Sequence, residues 1–259
     1  MTDSQAFVEG RSTNANVEEA ARLLSAAWRS GVRLVSLPPS AKPATLDEAH
    51  AIQLETARLL GEKIGGWKVG VARPVRGAVL ASRLLPSPAK LHAATMLRRL
   101  VEGEVAFIFD RPLPARGHDY SRNEVADAVS ACVAIEVVDS RYQDQAAEPE
   151  LDRIADFFGN SALVLGPPVH DWRSLPFATI HVSLSIDGKA LIDQRGGHGS
   201  GDPLQACVLF VNAMRLGAGV PAGTAVTTGT YTGAPMLPVG STAEVVIEGL
   251  GSAQVTFVP

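Results

Sequence analysis

Residues 101–109 are VEGEVAFIF, an apolar run that begins with two glutamates. The β-branched and aromatic residues in this run predict a strand. Because the side chains of a strand alternate between its two faces, Glu102 and Glu104 share one face, which also carries Ala106. Two carboxylates on a partly apolar face repel each other and are costly to desolvate, a cost that protonation, a cationic partner or a metal ion relieves. Solvated charges on an edge strand are the alternative interpretation.

Further short apolar runs, separated by Gly, Pro and Asp turns, predict a β-rich chain from Gly65 onward. A helix that starts at Ser121 is predicted to carry Cys132 inward, and another starts at Asp202 and stops near Gly217. Strands this irregularly spaced exclude alternating βα units, so we expect an α+β fold that is mainly a β roll with outer helices. The predicted runs are WKVGV (67–71), VAFIF (105–109), ALVLG (162–166), HVSLSI (181–186), AVTTG (225–229), AEVVIE (243–248) and AQVTFV (253–258).

The region before this β-rich part predicts two amphipathic helices. Asn16 and Thr45 are the predicted caps, since their side chains can accept from free backbone N–H groups, and Gly31 and Gly61 are the predicted ends. No periodic apolar face precedes Asn16. We therefore expect a flexible N-terminus at 1–14, a helical N-terminal segment at 15–63 and a β-roll catalytic domain at 64–259.

The composition predicts an ordinary cytoplasmic protein with small-molecule ligands. Of 259 residues, 46% are hydrophobic and 19% charged, as in globular proteins. A net charge of -4 without a basic cluster argues against a nucleic-acid surface or an anionic membrane face. The polar residues 1–16 lack the pattern of a signal peptide and no apolar stretch reaches the length that spans a bilayer, so we expect neither a leader nor a membrane span. The two cysteines, Cys132 and Cys207, lie in apolar runs and are expected to be reduced core residues.

A third glutamate changes the interpretation of the first two. Glu136 lies in CVAIEVVDS (132–140), where apolar residues flank it on both sides and an unpaired carboxylate would be costly. Three converging carboxylates are typical of a site for a hard divalent cation with open positions for water or substrate. Mg²⁺ or Mn²⁺ fits such a site, whereas zinc prefers His or Cys. The six histidines are scattered without ligand spacing, so structural roles are expected for them.

Lys68 is a second unusual residue, because it lies inside the short apolar strand GGWKVGV (65–71). A lysine in such a place either extends its charge to the edge or pairs with an anion. A functional role would be to bind a substrate carboxylate, or to move protons with a lowered pKa. The residue alone does not decide between these alternatives.

Four segments together resemble a known family, over roughly residues 16 to 259. They are GWKVGVA (66–72), EGEVAFIFDRPLP (102–114), AIEVVDSRYQD (134–144) and the run from GDPLQA (201–206) through LGAGVPAGTAVTTGTYTG (216–233). They are similar to the 2-keto-4-pentenoate hydratase and 4-oxalocrotonate decarboxylase branch of the fumarylacetoacetate hydrolase superfamily. The resemblance implies a mixed β roll, a homo-oligomer, Mg²⁺ or Mn²⁺ on Glu102, Glu104 and Glu136, and Lys68 in the active site.

The sequence also departs from that family's pattern. In GAVLASRLLP (77–86), Ala81 or Ser82 stands where the family has an aspartate that handles the proton or water. Asp156 is followed by Phe157, where the family has an Asp-Asn pair. These departures concern the delivery of water and leave the metal-binding glutamates unchanged. The segment after Gly70 is also basic, with Arg73, Arg76 and Arg83.

The function that the resemblance implies is hydration of 2-hydroxy-2,4-dienoates to 4-hydroxy-2-oxo acids in aromatic-compound catabolism. A decarboxylase of 2-oxo-3-enedioates is the first alternative, since the arginines could bind a second carboxylate. An enzyme that forms a Schiff base through Lys68, and a catalytically degenerate acid-binding paralogue, are further alternatives. Lys68, Thr230 and Arg73 are the predicted contacts of the substrate acid. Asp139 and Arg141, which follow Glu136, are expected to support the metal ligands or to form a structural ion pair.

Overall fold

The computed structural model describes residues 15–70 and 75–259. The expected flexible N-terminus and Arg73 lie outside these residues. The helices of the described chain are α1 (Ala15–Ser30), α2 (Leu46–Leu60), α3 (Arg122–Ala126), α4 (Glu150–Ala155) and α5 (Pro203–Met214). The strands are β1 (Ile64–Val69), β2 (Arg76–Leu80), β3 (Leu84–Pro86), β4 (Ala89–His92), β5 (Leu100–Phe109), β6 (Val129–Val138), β7 (Asn160–Leu165), β8 (His181–Ile186), β9 (Lys189–Arg195), β10 (Ala225–Thr230), β11 (Thr242–Ile247) and β12 (Gly251–Val258).

The strands form two mixed sheets, as expected for a roll of the α+β class. One sheet has seven strands in the order β2-β1-β10-β5-β6-β7-β3, and the other has five in the order β4-β12-β11-β8-β9. The longest pairing joins β5 and β6 antiparallel, from Leu100 opposite Val138 to Phe109 opposite Val129. Because directly opposite residues share a face, this pairing fixes which side chains of the two strands can meet.

The seven-stranded sheet buries a different apolar cluster on each of its faces. The larger cluster joins its residues Val105, Phe107 and Ile135 to Val245 and Phe257 of the five-stranded sheet. The smaller cluster, on the face that carries Glu104, consists of Val79, Ala106, Cys132, Ala134, Leu163 and Ala225. The glutamates therefore lie on a sheet surface that is mainly apolar and largely buried.

The two N-terminal helices pack against each other and against α4, around a separate core cluster that includes Leu24, Ile52 and Ile154. The Thr45 hydroxyl caps α2 by accepting from the Glu48 N–H, as predicted. Gln53 ties α2 to β2, because its side chain donates to the Arg76 carbonyl at 3.0 Å and accepts from the Ala78 N–H at 2.7 Å. Within the described residues, no helix is both long and apolar enough to cross a membrane.

One predicted element is wrong. The helix that begins after the Ser121 capping box ends at Ala126, so Cys132 lies in β6 and not on a helix. The apolar run SACVAIEVV (130–138), which contains Cys132, is compatible with a helix or a strand in isolation. It forms a strand because it pairs with β5 over ten residues. Cys132 and Cys207 are nevertheless buried and free, as expected. Four strands that the prediction omitted, β2, β3, β4 and β9, are short or, like β9, mostly solvent-exposed.

Candidate active site and metal centre

The three predicted glutamates meet at the β5–β6 pair. Glu102 lies directly opposite Glu136, and Glu104 lies two residues further along the same face of β5. One carboxylate oxygen from each residue lies within 4.8 Å of the other two. Glu104 and Glu136 are buried, whereas Glu102 is partly exposed. The cluster is therefore built into the sheet and opens on the side of Glu102.

Glu104 is fixed in place by the neighbouring strand β10. Its Oε2 atom accepts from the Thr227 hydroxyl and, at 2.9 Å, from the Gly229 N–H. The β5–β10 register shifts between Thr227 and Thr230, and Gly229 has a φ of 108° within this irregularity. Glycine tolerates this backbone conformation, which turns its N–H toward the carboxylate. These two donors both bind Oε2 and so orient the Glu104 carboxylate.

Glu136 is held on one oxygen only. Its Oε1 atom accepts from Lys68 Nζ at 2.8 Å and from Asn160 Nδ2 at 3.0 Å. Its Oε2 atom is buried and has no hydrogen-bond partner among the described residues. Burying a carboxylate oxygen without a hydrogen-bond partner costs free energy. This oxygen is therefore available to a ligand that the protein chain does not itself provide.

The electrostatics of the cluster favour a bound cation. Burial, followed by the charges of Glu136 and Glu102, raises the pKa of Glu104 to about 8. Burial likewise raises the pKa of Glu102, against the opposing effect of Lys68. Lys68 alone cannot balance three carboxylates, and a divalent ion would remove the repulsion that remains. All-oxygen donors without His or Cys fit Mg²⁺ or Mn²⁺.

Lys68 projects from β1 onto the same face, since it pairs with Thr227 of β10 in register. Its side chain is 15% exposed and its Nζ lies 5.1 Å from the centre of the Phe158 ring. Burial by itself lowers the pKa of Lys68, but the charge of Glu136, followed by those of Glu102 and Glu104, outweighs it, and the net pKa is raised. This raised pKa disagrees with the predicted alternative in which Lys68 moves protons with a lowered pKa.

Arg141 and Asp139 form ion pairs with other partners and not with each other. Arg141 Nε donates to Asp156, and two further guanidinium N–H groups donate to the carbonyls of Asp156 at 2.8 Å and of Asn160 at 3.0 Å. Arg141 thus holds both ends of the turn from which Asn160 reaches Glu136. Asp139 pairs with Arg33 instead, 106 residues away in the sequence. It connects the end of β6 to the N-terminal helical region.

The profile of the fumarylacetoacetate (FAA) hydrolase C-terminal domain matches residues 81–258. The chain belongs to the fumarylacetoacetate hydrolase family. It is 32% identical to a 2-keto-4-pentenoate hydratase of Burkholderia vietnamiensis, over 77% of this chain and 78% of that protein. It is 30% identical to a 2-hydroxyhexa-2,4-dienoate hydratase of Comamonas testosteroni, over 93% of this chain and 97% of that protein. The family resemblance seen in the sequence is confirmed.

Solved structures of other enzymes share this fold. A 4-oxalocrotonate decarboxylase of Pseudomonas putida G7, complexed with magnesium and adipate, has a TM-score of 0.78 at 21% identity and covers 93% of this chain and 98% of that one. A fumarylpyruvate hydrolase of Pseudomonas aeruginosa, complexed with Mn²⁺ and pyruvate, has a TM-score of 0.54 at 16% identity, covering 74% and 88% of the two chains. The expected fold class is confirmed by these matches.

Other residues singled out in the sequence have their side chains in a turn, in solvent or on a tryptophan ring, and not on the carboxylates. The Thr230 hydroxyl donates to the Gly233 carbonyl at 3.1 Å and accepts from the Thr232 N–H, so it stabilises the turn. Ala81 and Ser82 lie exposed in a short turn after β2. Arg76 and Arg83 place their guanidinium groups over the rings of Trp67 and Trp28, at 5.5 and 5.9 Å.

Sequence reasoning missed three residues of the site. Asn160 contacts Glu136, Thr227 contacts Glu104, and Phe158 contacts Lys68. Asn160 begins the apolar strand NSALVL, and a polar amide there is the one sequence feature that could have indicated a buried role. Thr227 is a common β-strand residue, and Phe158 has the character of an ordinary core residue, so neither is conspicuous in the sequence.

Replacement of Asn160 should weaken metal binding in this family member. The Asn160→Ala variant removes the donor that orients Glu136 Oε1, while Lys68 stays in place. We expect the affinity for Mg²⁺ to fall by about 10–100-fold, as for other groups that orient metal ligands. Isothermal titration calorimetry with Mg²⁺ measures this change.

A matched control is Asn212→Ala, because the Asn212 side chain is also hydrogen-bonded, to the backbone N–H and carbonyl of Tyr120, but lies on α5. This control should leave the Mg²⁺ affinity unchanged. Equal affinities in the wild type and Asn160→Ala would show that Asn160 does not position the ligand.

Proposed function

We propose that this protein is a divalent-metal-dependent lyase that hydrates 2-hydroxy-2,4-dienoates to 4-hydroxy-2-oxo acids, in the catabolism of aromatic compounds. The observation that carries this proposal is the cluster of three carboxylates beside Lys68, in which the buried Oε2 of Glu136 has no hydrogen-bond partner in the part of the chain that the structure describes. Relatives that are 30–33% identical are named as hydratases of this type, which supports the same reaction here.

Glu102, Glu104 and Glu136 would hold Mg²⁺ or Mn²⁺. Their donors fit such an ion because they are all carboxylate oxygens and include one buried oxygen that no residue in 15–70 or 75–259 satisfies. When bound, the ion supplies a Lewis acid and a template for the carboxylate and C2 oxygen of the acid. The partly exposed Glu102 marks the side from which the acid would approach.

Lys68 would bind the substrate as a cation. The charges of the glutamates raise the pKa of Lys68, which favours its protonated form, and its Nζ can then donate to Glu136 and to the carboxylate or C2 oxygen of the acid. A protonated Lys68 also argues against the Schiff-base alternative, which requires a neutral amine. Thr230, at the edge of the cluster, and Arg73 remain proposed contacts for the acid.

A decarboxylase of 2-oxo-3-enedioates is the second candidate. The exposed Ala81 and Ser82, which provide no acidic group for the delivery of water, favour it. Arg76 argues against it, because Arg76 pairs with Val69, the neighbour of Lys68, and so lies on the opposite face of the sheet. Arg83 stacks on Trp28 and does not reach the carboxylates as a counter-ion. A second substrate carboxylate therefore gains nothing from these two arginines.

An ultraviolet assay tests the proposal directly. With Mg²⁺ or Mn²⁺, we expect the absorbance of 2-hydroxypenta-2,4-dienoate to disappear; EDTA should stop the reaction, because the glutamates then lack their ion, and excess Mg²⁺ should restore it. Turnover of 2-oxo-3-hexenedioate alone, with release of CO₂, would move the assignment to the decarboxylase. No turnover of either acid, with tight binding of both, would identify a degenerate acid-binding paralogue.

A further inference from the structure

The turn that connects α4 to β7 has an unusual backbone. Phe157 and Phe158 both have a φ of 53°, and Gly159 follows with a φ of 77°. Bulky side chains rarely adopt this left-handed conformation, since Cβ then crowds the following carbonyl. Strained residues of this kind persist only where the surrounding structure determines them, and they occur most often at functional sites.

Several contacts hold this turn in place. The Asp156 carboxylate accepts from the Ser140 hydroxyl and the Arg141 N–H at 2.8 and 2.9 Å, and the Gly159 N–H donates to the Asp156 carbonyl at 2.9 Å. The Gly159 carbonyl in turn accepts from the Asp139 N–H at 2.9 Å. The backbone conformation of Phe158 is thus imposed by its neighbours on both sides.

Strand β2 lets the turn approach the site closely. Gly77 lies opposite Lys68, and a Cβ atom at Gly77 would lie 2.3 Å from the Phe157 carbonyl oxygen and 2.9 Å from Lys68 Cγ. Any side chain at this position would therefore push the turn away from Lys68. The absence of a side chain at Gly77 brings Phe158 beside Lys68.

The two aromatic residues of the turn point to different surroundings. Phe157 is buried in the main core, with its ring 5.4 Å from that of Trp28. Phe158 is only partly buried, and its ring lies 5.1 Å from Lys68 Nζ. Since Glu136 occupies one side of the ammonium group, the ring of Phe158 limits the space on another.

We infer that Phe158 is a specificity-determining residue whose ring selects acids with a flat, apolar tail and disfavours acids with a second carboxylate. The inference rests on the proposed function, because it assumes that an acid binds beside Lys68. An aromatic face attracts conjugated and apolar groups and repels an anion. Within residues 15–70 and 75–259, Lys68 is the cation whose charge acts on Glu102 and Glu104, and Arg76, which pairs with Val69, lies on the opposite face of the sheet.

The binding of unreactive acids tests this inference separately from turnover. Isothermal titration calorimetry with Mg²⁺-saturated protein would compare 2-oxopentanoate with the diacid 2-oxohexanedioate. We expect the wild type to favour the monoacid by about tenfold or more, and Phe158→Asn to bring this ratio close to one. Asparagine tolerates the left-handed backbone, so this variant keeps the turn while it removes the ring.

Phe158→Tyr is the conservative variant and should keep the preference of the wild type. If Phe158→Asn does not fold, as judged by its thermal unfolding, Phe158→Leu replaces it and should lose most of the preference, because the flat ring is gone. A ratio that is unchanged in a folded variant would overturn the inference. So would a wild type that binds neither acid, or that binds the diacid more tightly through Arg73, as shown by loss of that binding in Arg73→Gln.

The ultraviolet assay separates this outcome from that of the proposed function. If the wild type turns over the dienoate but the binding ratio does not depend on Phe158, the inference fails and the function stands. If the ratio depends on Phe158 but no acid is turned over, the hydratase proposal fails and the selectivity of the site stands.

Discussion

The Glu104→Gln variant should lose almost all turnover of the dienoate while its fold remains intact. We expect kcat/KM to fall by roughly a thousandfold, which corresponds to about 4 kcal/mol of lost transition-state stabilisation. The amide has the shape of the carboxylate, and its oxygen can still accept from Thr227 and Gly229. It lacks the charge that attracts a divalent ion, and it removes one of the three mutually repelling carboxylates. Steady-state kinetics measure the loss of turnover, and Mg²⁺ titrations measure the weaker binding of the metal ion.

The matched control is Glu244→Gln. Glu244 also lies in the middle of a strand, but in β11 of the five-stranded sheet, opposite Gln254. This variant should keep the kinetics and the Mg²⁺ affinity of the wild type. Full activity of Glu104→Gln at saturating Mg²⁺ would contradict the proposed role of Glu104 as a metal ligand.

The sequence was sufficient to predict that Glu102 and Glu104 share a face and that Glu136 is buried, and the family resemblance joined the three into one metal site. Alternation along β5 places Glu102 and Glu104 on one face, and the apolar surroundings of Glu136 require a partner for its charge. The fold class follows from the number and spacing of the apolar runs. The α5 helix was equally predictable, since Asp202 and Pro203 mark its start.

What the sequence could not predict depends on pairing between distant segments. Cys132 lies in a run that fits a helix or a strand, and only the partner β5 decides between them. Asn160 becomes a contact of Glu136 because Arg141 and Asp156 fold the turn before it. The orientation of Phe158 follows from a positive φ, which no propensity rule assigns to a phenylalanine.

Replacement of Lys68 by methionine should lower the stability of the metal-free protein and its turnover without weakening its affinity for Mg²⁺. Without metal, the variant leaves the carboxylates of Glu102, Glu104 and Glu136 without their cation. Breaking a buried ion pair in this way costs about 3 kcal/mol of unfolding free energy, or roughly 6–12 °C in Tm for a chain of this size. Turnover of the dienoate should fall by about a hundredfold or more, since the acid loses its cationic donor.

Mg²⁺ should bind Lys68→Met at least as tightly as it binds the wild type, because Lys68 and the metal ion compete for the negative charge of Glu136. Saturating Mg²⁺ should therefore raise the Tm of the variant more than that of the wild type. Differential scanning fluorimetry with and without Mg²⁺ measures this difference. Lys42→Met is the matched control: Lys42 also pairs with a buried carboxylate, that of Asp152 at 3.0 Å, so its loss should likewise lower the Tm but leave turnover and the Mg²⁺ affinity unchanged. If Lys68→Met instead bound Mg²⁺ more weakly, Lys68 would be holding Glu136 in its metal-binding orientation, and Lys68 and the metal ion would not compete for Glu136.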